Sequence, residues 1–323
     1  MTGRRQFGTT RRLQSGRWQA RFWVESEGRQ ISAPQTFATK TEACTWLSSV
    51  ETDRARGRFL DPDAGKIPLR QYAVSWLATK VNLAPRTREI YQDQLERDIL
   101  PELGRLQLVS VTPERVRRWY AHLARTRSPS VAAKAYVRLK QILTEAVEDE
   151  RIARNRCRIR GGGIERHPEQ RSATPQQLLV LANAVGDRYR ALVLTAGMCG
   201  LRQGELFALR REDVDLTKAT ISVRRKRLRL ASGEVIEGDP KSHAGRRVVA
   251  MPEVVVSALR RHMAEFTAAD ADAYVFTGPK GRPIDRTNFC NRMWLPAVRR
   301  AGMEGFRFHD LRVRHEAPCI RAG

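Results

Sequence analysis

The sequence predicts an α+β chain, mainly α with small β-sheets, and three observations carry that prediction. Near the N-terminus, Gly16-Arg-Trp-Gln-Ala-Arg-Phe-Trp-Val24 alternates large apolar with polar residues at the strand period. Between 66 and 156 the apolar residues recur at helical spacing instead. Beyond 172, helical sequence gives way to three extended runs and then returns. With 323 residues and 41% hydrophobic content, the chain is long enough for two or three domains with their own cores. The divisions fall at 1–60, 66–156 and 172–323.

Charge narrows the partners. Fifty-nine Lys plus Arg against 35 Asp plus Glu leave a net charge of +24. A chain this basic is expected to meet a polyanion, because each cation that neutralises a phosphate releases a condensed counterion. Double-stranded DNA is the first candidate. No apolar run approaches the ~18 residues that a membrane span needs, so no membrane partner is expected. The five cysteines are odd in number and scattered, with no CxxC or Cys/His ligand spacing. They read as reduced cytosolic thiols, and no metal site is implied. Met1-Thr-Gly-Arg-Arg-Gln6 has no apolar signal region, which fits a cytoplasmic, nucleoid-associated protein.

In order, Gly16–Val24, a turn at Glu27-Gly28 and a second extended run from Arg29 to Phe37 form a short antiparallel sheet. Thr39 opens a helix through Trp46 and Leu47, with Glu42 placed to complete a capping box. Arg17, Arg21 and Arg29 lie near the strands, and such a sheet can enter a DNA groove. Arg54–Ile67, rich in Gly and Pro, reads as a linker. Helices follow: one with Leu69, Tyr72, Ala73, Trp76 and Leu77 on a face, one capped by Thr112-Pro113, and one begun by Ser128-Pro129. Core packing explains their aromatics better than base stacking does.

Arg151–Gly163 places five arginines, Arg154, Arg156 and Arg158 among them, ahead of three glycines, and reads as a flexible basic connector that touches a DNA backbone. Thr174-Pro-Gln-Gln177 gives a second capping box with Pro at the first helical position. The apolar run Ala191–Ala196 leads to Gly197-Met-Cys-Gly-Leu-Arg-Gln-Gly-Glu-Leu-Phe-Ala-Leu-Arg210. Helix on both sides would hold Arg202 ready to fork two N–H donors onto a phosphate, with Glu205 one turn on to hold it from behind. Extended runs are expected over Ala219–Leu230, Glu234–Glu237 and Arg246–Met251, with Lys241 in the turn between the last two. Pro252–Phe266 and Asn288–Gly302 read as helices, with a turn at 274–281, and Phe308-His-Asp-Leu-Arg312 follows.

Gly200-Leu-Arg-Gln-Gly-Glu-Leu206, Pro240-Lys-Ser with Arg246-Arg-Val-Val-Ala-Met-Pro252, and His309-Asp-Leu-Arg312 resemble, in that order, the tyrosine recombinase (phage integrase) family. The resemblance spans about residues 10 to 312. It implies an arm-type three-stranded sheet plus helix, a helical core-binding domain and a mixed α/β catalytic domain. In this family a tyrosine attacks a DNA phosphodiester without any cofactor, and assemblies on DNA are tetrameric, which implies self-association. By resemblance Arg202 and Arg312 would clamp the phosphate, Lys241 would protonate the leaving 5′-oxygen, His309 would assist proton transfer, and Glu205 would fix Arg202.

The sequence departs from the family after Arg312. The six tyrosines are Tyr72, Tyr91, Tyr120, Tyr136, Tyr189 and Tyr274, so none follows His309, and Tyr274 reads as a packed strand residue rather than a nucleophile. Pro318 interrupts expected helix, and His315 has the wrong spacing for the family's next histidine. The expectation is a C-terminally truncated integrase, inactive alone, with a non-catalytic protein occupying attachment sites as the alternative. A stand-alone transcription factor would leave Arg202, Lys241, His309 and Arg312 without a purpose.

Overall fold

The computed structural model describes residues 7–25, 28–57, 59–165, 172–239 and 246–311. The chain divides into two compact units, Met1–Arg166 and His167–Gly323. It has the α+β fold of small antiparallel sheets among many helices.

The first unit opens with strands β1 (Thr9–Arg12), β2 (Trp18–Val24) and β3 (Arg29–Ser32), antiparallel in that order. Alternation along β2 buries Ala20, Phe22 and Val24 against Ala43, Leu47 and Val50 of helix α1 (Lys40–Ala55). The Thr39–Glu42 capping box is present. Residues 59–67 are packed rather than free. Phe59 sets its edge on Phe22 at 5.3 Å, and Val109 donates its N–H to the Gly65 carbonyl at 3.1 Å. A Cβ at Gly65 would fall 2.6 Å from the Arg151 carbonyl oxygen, so glycine is what allows the approach.

A second core in this unit gathers α2 (Leu69–Thr79), α3 (Pro85–Asp93), α4 (Leu100–Leu103), α5 (Pro113–Thr126) and α6 (Pro129–Glu148). The three helices expected from apolar spacing are α2, α5 and α6, and Thr112 and Ser128 cap the latter two. Residues 85–103 add helix that the sequence reading passed over, because α3 buries no residue and so has no apolar stripe to read. A π-helical stretch, Gln94–Ile99, joins α3 to α4 just ahead of Pro101. Proline cannot donate to the ladder and crowds the carbonyl one turn upstream, so the helix widens there. The aromatics are core residues with bonded polar tips: Trp119 Nε1 donates to the Asp98 carbonyl at 2.8 Å and Trp76 Nε1 to Glu145 at 2.8 Å.

Arg151–Gly163 is not a loose connector over the described residues. Ile152 and Cys157 are buried in the helical core, Asn155 Nδ2 donates to Lys140 O and Thr144 Oγ1 at 2.8 Å each, and Ile159 N donates to Tyr136 Oη at 2.8 Å. Three apolar anchors among the arginines fasten the segment to α6, a pattern hidden by the charge.

In the second unit, α7 (Pro175–Ala184) and α8 (Asp187–Met198) pack together, and α8 is buried along most of its length. The Thr174–Gln177 capping box is present. After the one-turn α9 (Gln203–Leu206), β4 (Val214–Asp215), β5 (Thr220–Val223) and β8 (Arg247–Ala250) form one antiparallel sheet. β6 (Lys226–Arg229) and β7 (Val235–Gly238) form a separate hairpin. The run expected over Ala219–Leu230 is therefore two strands in two sheets. Arg225 breaks it by forking to Asp213 at 2.7 Å and Glu212 at 2.9 Å, which pulls the chain out of the β5 line. α10 (Glu253–Phe266) packs on α8. α11 (Arg286–Phe289), a π-helical stretch Cys290–Trp294 and α12 (Leu295–Arg300) make up the last expected helix, again widened just before a Leu-Pro pair. No helix among the described residues is long and apolar enough to cross a membrane.

Candidate active site

The site is built around the end of α8. Gly200, at φ +63°, turns the chain in the left-handed region that favours glycine, and Leu201 plugs the core at 1% exposure. Arg202 then emerges in extended backbone (φ −74°, ψ 150°) as the N-cap of α9, with helix on both sides as expected. Glu205, three residues on, is 4% exposed and its carboxylate is the hub. Oε2 accepts from the Arg202 backbone N–H at 2.8 Å and Oε1 from Arg202 Nη1 at 2.9 Å. Arg247, at the start of β8, adds Nη2 to Oε2 at 2.8 Å and Nη1 to Oε1 at 3.3 Å. One buried carboxylate thus holds two guanidiniums, leaving local net positive charge. The Arg202 side chain stays 55% exposed, with Nε and Nη2 given to no described residue.

Burial pushes the Glu205 carboxyl up, but hydrogen bonds from Arg247 and Arg202 outweigh it, so the group sits below the usual carboxylate range. The sign follows. A depressed folded pKa adds stability that is fully present above the unfolded value and lost as pH falls through the folded one. Glu205→Gln should lower the urea midpoint at pH 7 and pH 5 alike, with the gap to the wild type narrowing only below about pH 4.3. Glu205→Ala, which strips a largely buried Arg247 of its carboxylate, should cost about 3–5 kcal/mol. A gap that stayed constant down to pH 3 would contradict the charged hub.

His309 is exposed on a 3-10 turn, Phe308–Leu311, that also packs on α8. Its neighbours hold it there. Phe308 meets Phe289 and Trp294 edge-on at 5.5 and 5.1 Å, Leu311 is fully buried, and Asp310 accepts from Arg307 N, Nε and Nη2 at 2.9, 3.1 and 3.0 Å. Arg202 and His309 therefore share α8 as their support. Lys241 and Arg312 lie outside the described residues.

Tyr274 pairs with Arg210 in an isolated bridge and donates its hydroxyl to Glu237, with the Arg210 and Arg227 guanidiniums over its ring at 5.3 and 5.6 Å. Burial first, and then Glu237, raise its phenol above the ordinary value. It is a packed network residue. Beside it a cleft of about 610 Å³ is lined by Arg210, Arg224, Arg225 and Arg246, cations that the sequence reading did not single out. Asp213 and Asp239 neutralise Arg225 and Arg246 at 2.7 and 2.6 Å.

In the N-terminal sheet the register separates the three arginines predicted there. Arg21 stands across from Thr9 and Ser32 on the face away from α1, which also presents Arg11, Gln19, Trp23 and Gln30 and, among the described strand residues, no acidic side chain. Arg17 is exposed and tied to Thr36 Oγ1 at 2.7 Å. Arg29, grouped with Arg21 as a candidate for DNA contact, lies in register with Val24 on the helix side and pairs with Asp61. One residue of register decides this, since side chains alternate faces. Of the basic segment, Arg154 and Arg158 are exposed, whereas Arg156 is half-buried with its Nε unpaired among the described residues. No three His, Cys, Asp or Glu side chains among the described residues converge on a possible metal position.

Comparison with known proteins gives the family. Residues 6–56 match the phage integrase N-terminal domain, 69–162 the phage integrase central domain and 171–323 the phage integrase family model. The putative prophage phiRv2 integrase of Mycobacterium tuberculosis H37Rv is 35% identical over 331 residues, covering 99% of this chain and 85% of that protein. The chain belongs to the phage integrase family. The integrase of Mycobacterium phage L5 is 31% identical, over 99% of this chain and 88% of its own length. Among solved structures, the Tn1549 transposon integrase in complex with a circular intermediate DNA aligns with TM-score 0.66 at 19% identity, over 76% of this chain and 84% of that one. A lambda integrase dimer bound to a COC' core site aligns with TM-score 0.58 at 14% identity, over 96% and 87%. These structures establish that the integrase fold extends over this chain.

Proposed function

We propose that this integrase-family chain binds duplex DNA and takes part in site-specific recombination, gripping one phosphodiester at Arg202. Three modules do the binding: residues 1–60 through the open face of the N-terminal sheet, 66–156 through the helical domain with Arg154 and Arg158 beside it, and 172–323 through the phosphate pocket. The observation that carries the reading is the buried Glu205 hub, which holds Arg202 while its Nε and Nη2 are given to no described residue, at the end of the same helix α8 on which the turn bearing His309 packs. A phosphoryl centre under attack gains negative charge on its non-bridging oxygens. Arg202 and Arg312 stabilise that charge, Lys241 delivers a proton to the departing 5′-oxygen, and His309 moves a proton and steadies the phosphate. Copies of the chain associate on DNA, as the tetramer of lambda integrase does on a Holliday junction.

The attacking oxygen is assigned to none of the six tyrosines of this sequence. That observation favours a second reading, in which the 323-residue chain occupies an attachment site without breaking it.

Selection from a random duplex pool, followed by hydroxyl-radical footprinting, tests DNA recognition. Enrichment of one sequence with two separated protected tracts is expected, one of them lost in Arg21→Ala/Trp23→Ala. A pool that shows no enrichment overturns the proposal.

A further inference from the structure

Arg247 lies 42 residues from Glu205 in sequence, yet it makes the closest side-chain contact with that carboxylate. Its fork is bidentate, Nη1 to Oε1 and Nη2 to Oε2, and this sets the plane of the carboxylate. Arg202 by itself cannot do so. Its backbone N–H and its Nη1 reach one oxygen each from the same short segment, and a carboxylate on the first turn of a one-turn helix would otherwise be free to rotate with that segment. Arg247 comes from β8, which is laddered to β5 through Val223↔Arg247, so its fork ties α9 to the sheet. Both of its Nη nitrogens are engaged by Glu205, while Arg202 gives Nε and Nη2 to no described residue.

We infer that Arg247 is a positioning residue for Arg202, acting through Glu205 to fix where the Arg202 guanidinium meets the phosphate of bound DNA. The inference rests on the reading of Arg202 given above. An arginine that is more than half exposed has many rotamers, and holding it from one side leaves the others populated. With the carboxylate clamped from the sheet, Arg202 Nη1 has one fixed acceptor, and its remaining donors point to one place.

The test uses the duplex recovered by selection and replaces its phosphates one at a time with neutral methylphosphonates. In the wild type, neutralising the phosphate held by Arg202 should weaken binding about tenfold or more. Arg202→Ala should bind more weakly and become indifferent to that replacement. Arg247→Ala should lose about the same sensitivity at the same phosphate, Arg247→Lys should recover part of it, and Arg202→Ala/Arg247→Ala should bind within about twofold of Arg202→Ala. Losses that simply add, or an Arg247→Ala protein as sensitive at that phosphate as the wild type, overturn the inference while leaving Arg202's role intact. If Arg202→Ala changes the response at no phosphate, the phosphate-holding reading falls and takes this inference with it. Should Arg247→Ala fail to fold by circular dichroism, Arg247→Gln and Arg247→Lys decide the matter, because a structural residue would alter the response at all phosphates alike.

Discussion

Raising salt from 50 to 200 mM should weaken duplex binding by about 10³- to 10⁵-fold, the fall expected when about eight phosphates are neutralised. The number is set by free cations, not by the net charge of +24. Many arginines already have carboxylates: Arg29 with Asp61, Arg118 with Glu114, Arg225 with Asp213 and Arg246 with Asp239. Such pairs release few counterions, because their charge is compensated before DNA arrives. The cations left to meet phosphate include Arg21 on the open sheet face, Arg154 and Arg158 on the docked basic segment, and one positive charge of the Arg202–Glu205–Arg247 cluster, whose single carboxylate is shared by two guanidiniums. Fluorescence anisotropy across a salt series checks this, with a slope of log affinity against log salt near −7 expected. A slope of about −2 or shallower would mean that only two phosphates are covered, and would remove the three-module picture.

On a nicked suicide duplex the 323-residue polypeptide should form no covalent protein–DNA band, with strand attachment about 10⁴-fold or more below what an equipped site achieves. Charge stabilisers do not replace an attacking oxygen held in line with the leaving group. Three of the six phenols are committed elsewhere. Tyr72 donates to Asp149 at 2.5 Å, Tyr136 accepts from Ile159 N at 2.8 Å, and Tyr274 donates to Glu237. Burial leads the causes that raise all three phenols above their ordinary value, which makes the phenolate harder to form. Noncovalent binding to the same duplex should persist. A band that survives denaturation, disappears in Arg202→Ala and maps to Tyr274 would reverse this assignment.

Much of the candidate site was legible in order along the chain. Gly200, Arg202 and Glu205 stand in a short motif, and the hold of Glu205 on Arg202, three residues apart, is local enough to be read directly, although the N-cap position of Arg202 was not. Phe308-His-Asp-Leu-Arg312 was legible as a motif, but the 3-10 turn over Phe308–Leu311 that presents His309 was not. Arg247 was not. It follows another arginine of identical type, and nothing local distinguishes the one that reaches Glu205 from the one that pairs with Asp239. The basic segment misled in the opposite direction. Five arginines masked Ile152, Asn155, Cys157 and Ile159, whose contacts with α6 hold it in place.

By itself the sequence determined what depends on neighbours in the chain: the caps at Thr39, Thr112, Ser128 and Thr174, the helical stripes of α2, α5 and α6, and the excess of positive charge. Those follow from backbone donors and side-chain periods within a few residues. Tertiary structure alone decided which face of the N-terminal sheet carries Arg21 and which carries Arg29, where the 219–230 run divides, and that Arg247 rather than Arg246 meets Glu205. The physical reason is register. A strand shifted by one residue exchanges its faces, and only burial of Phe22 and Ile31 against α1, or of Ile221 and Val223 in the second unit's core, selects one register over the other.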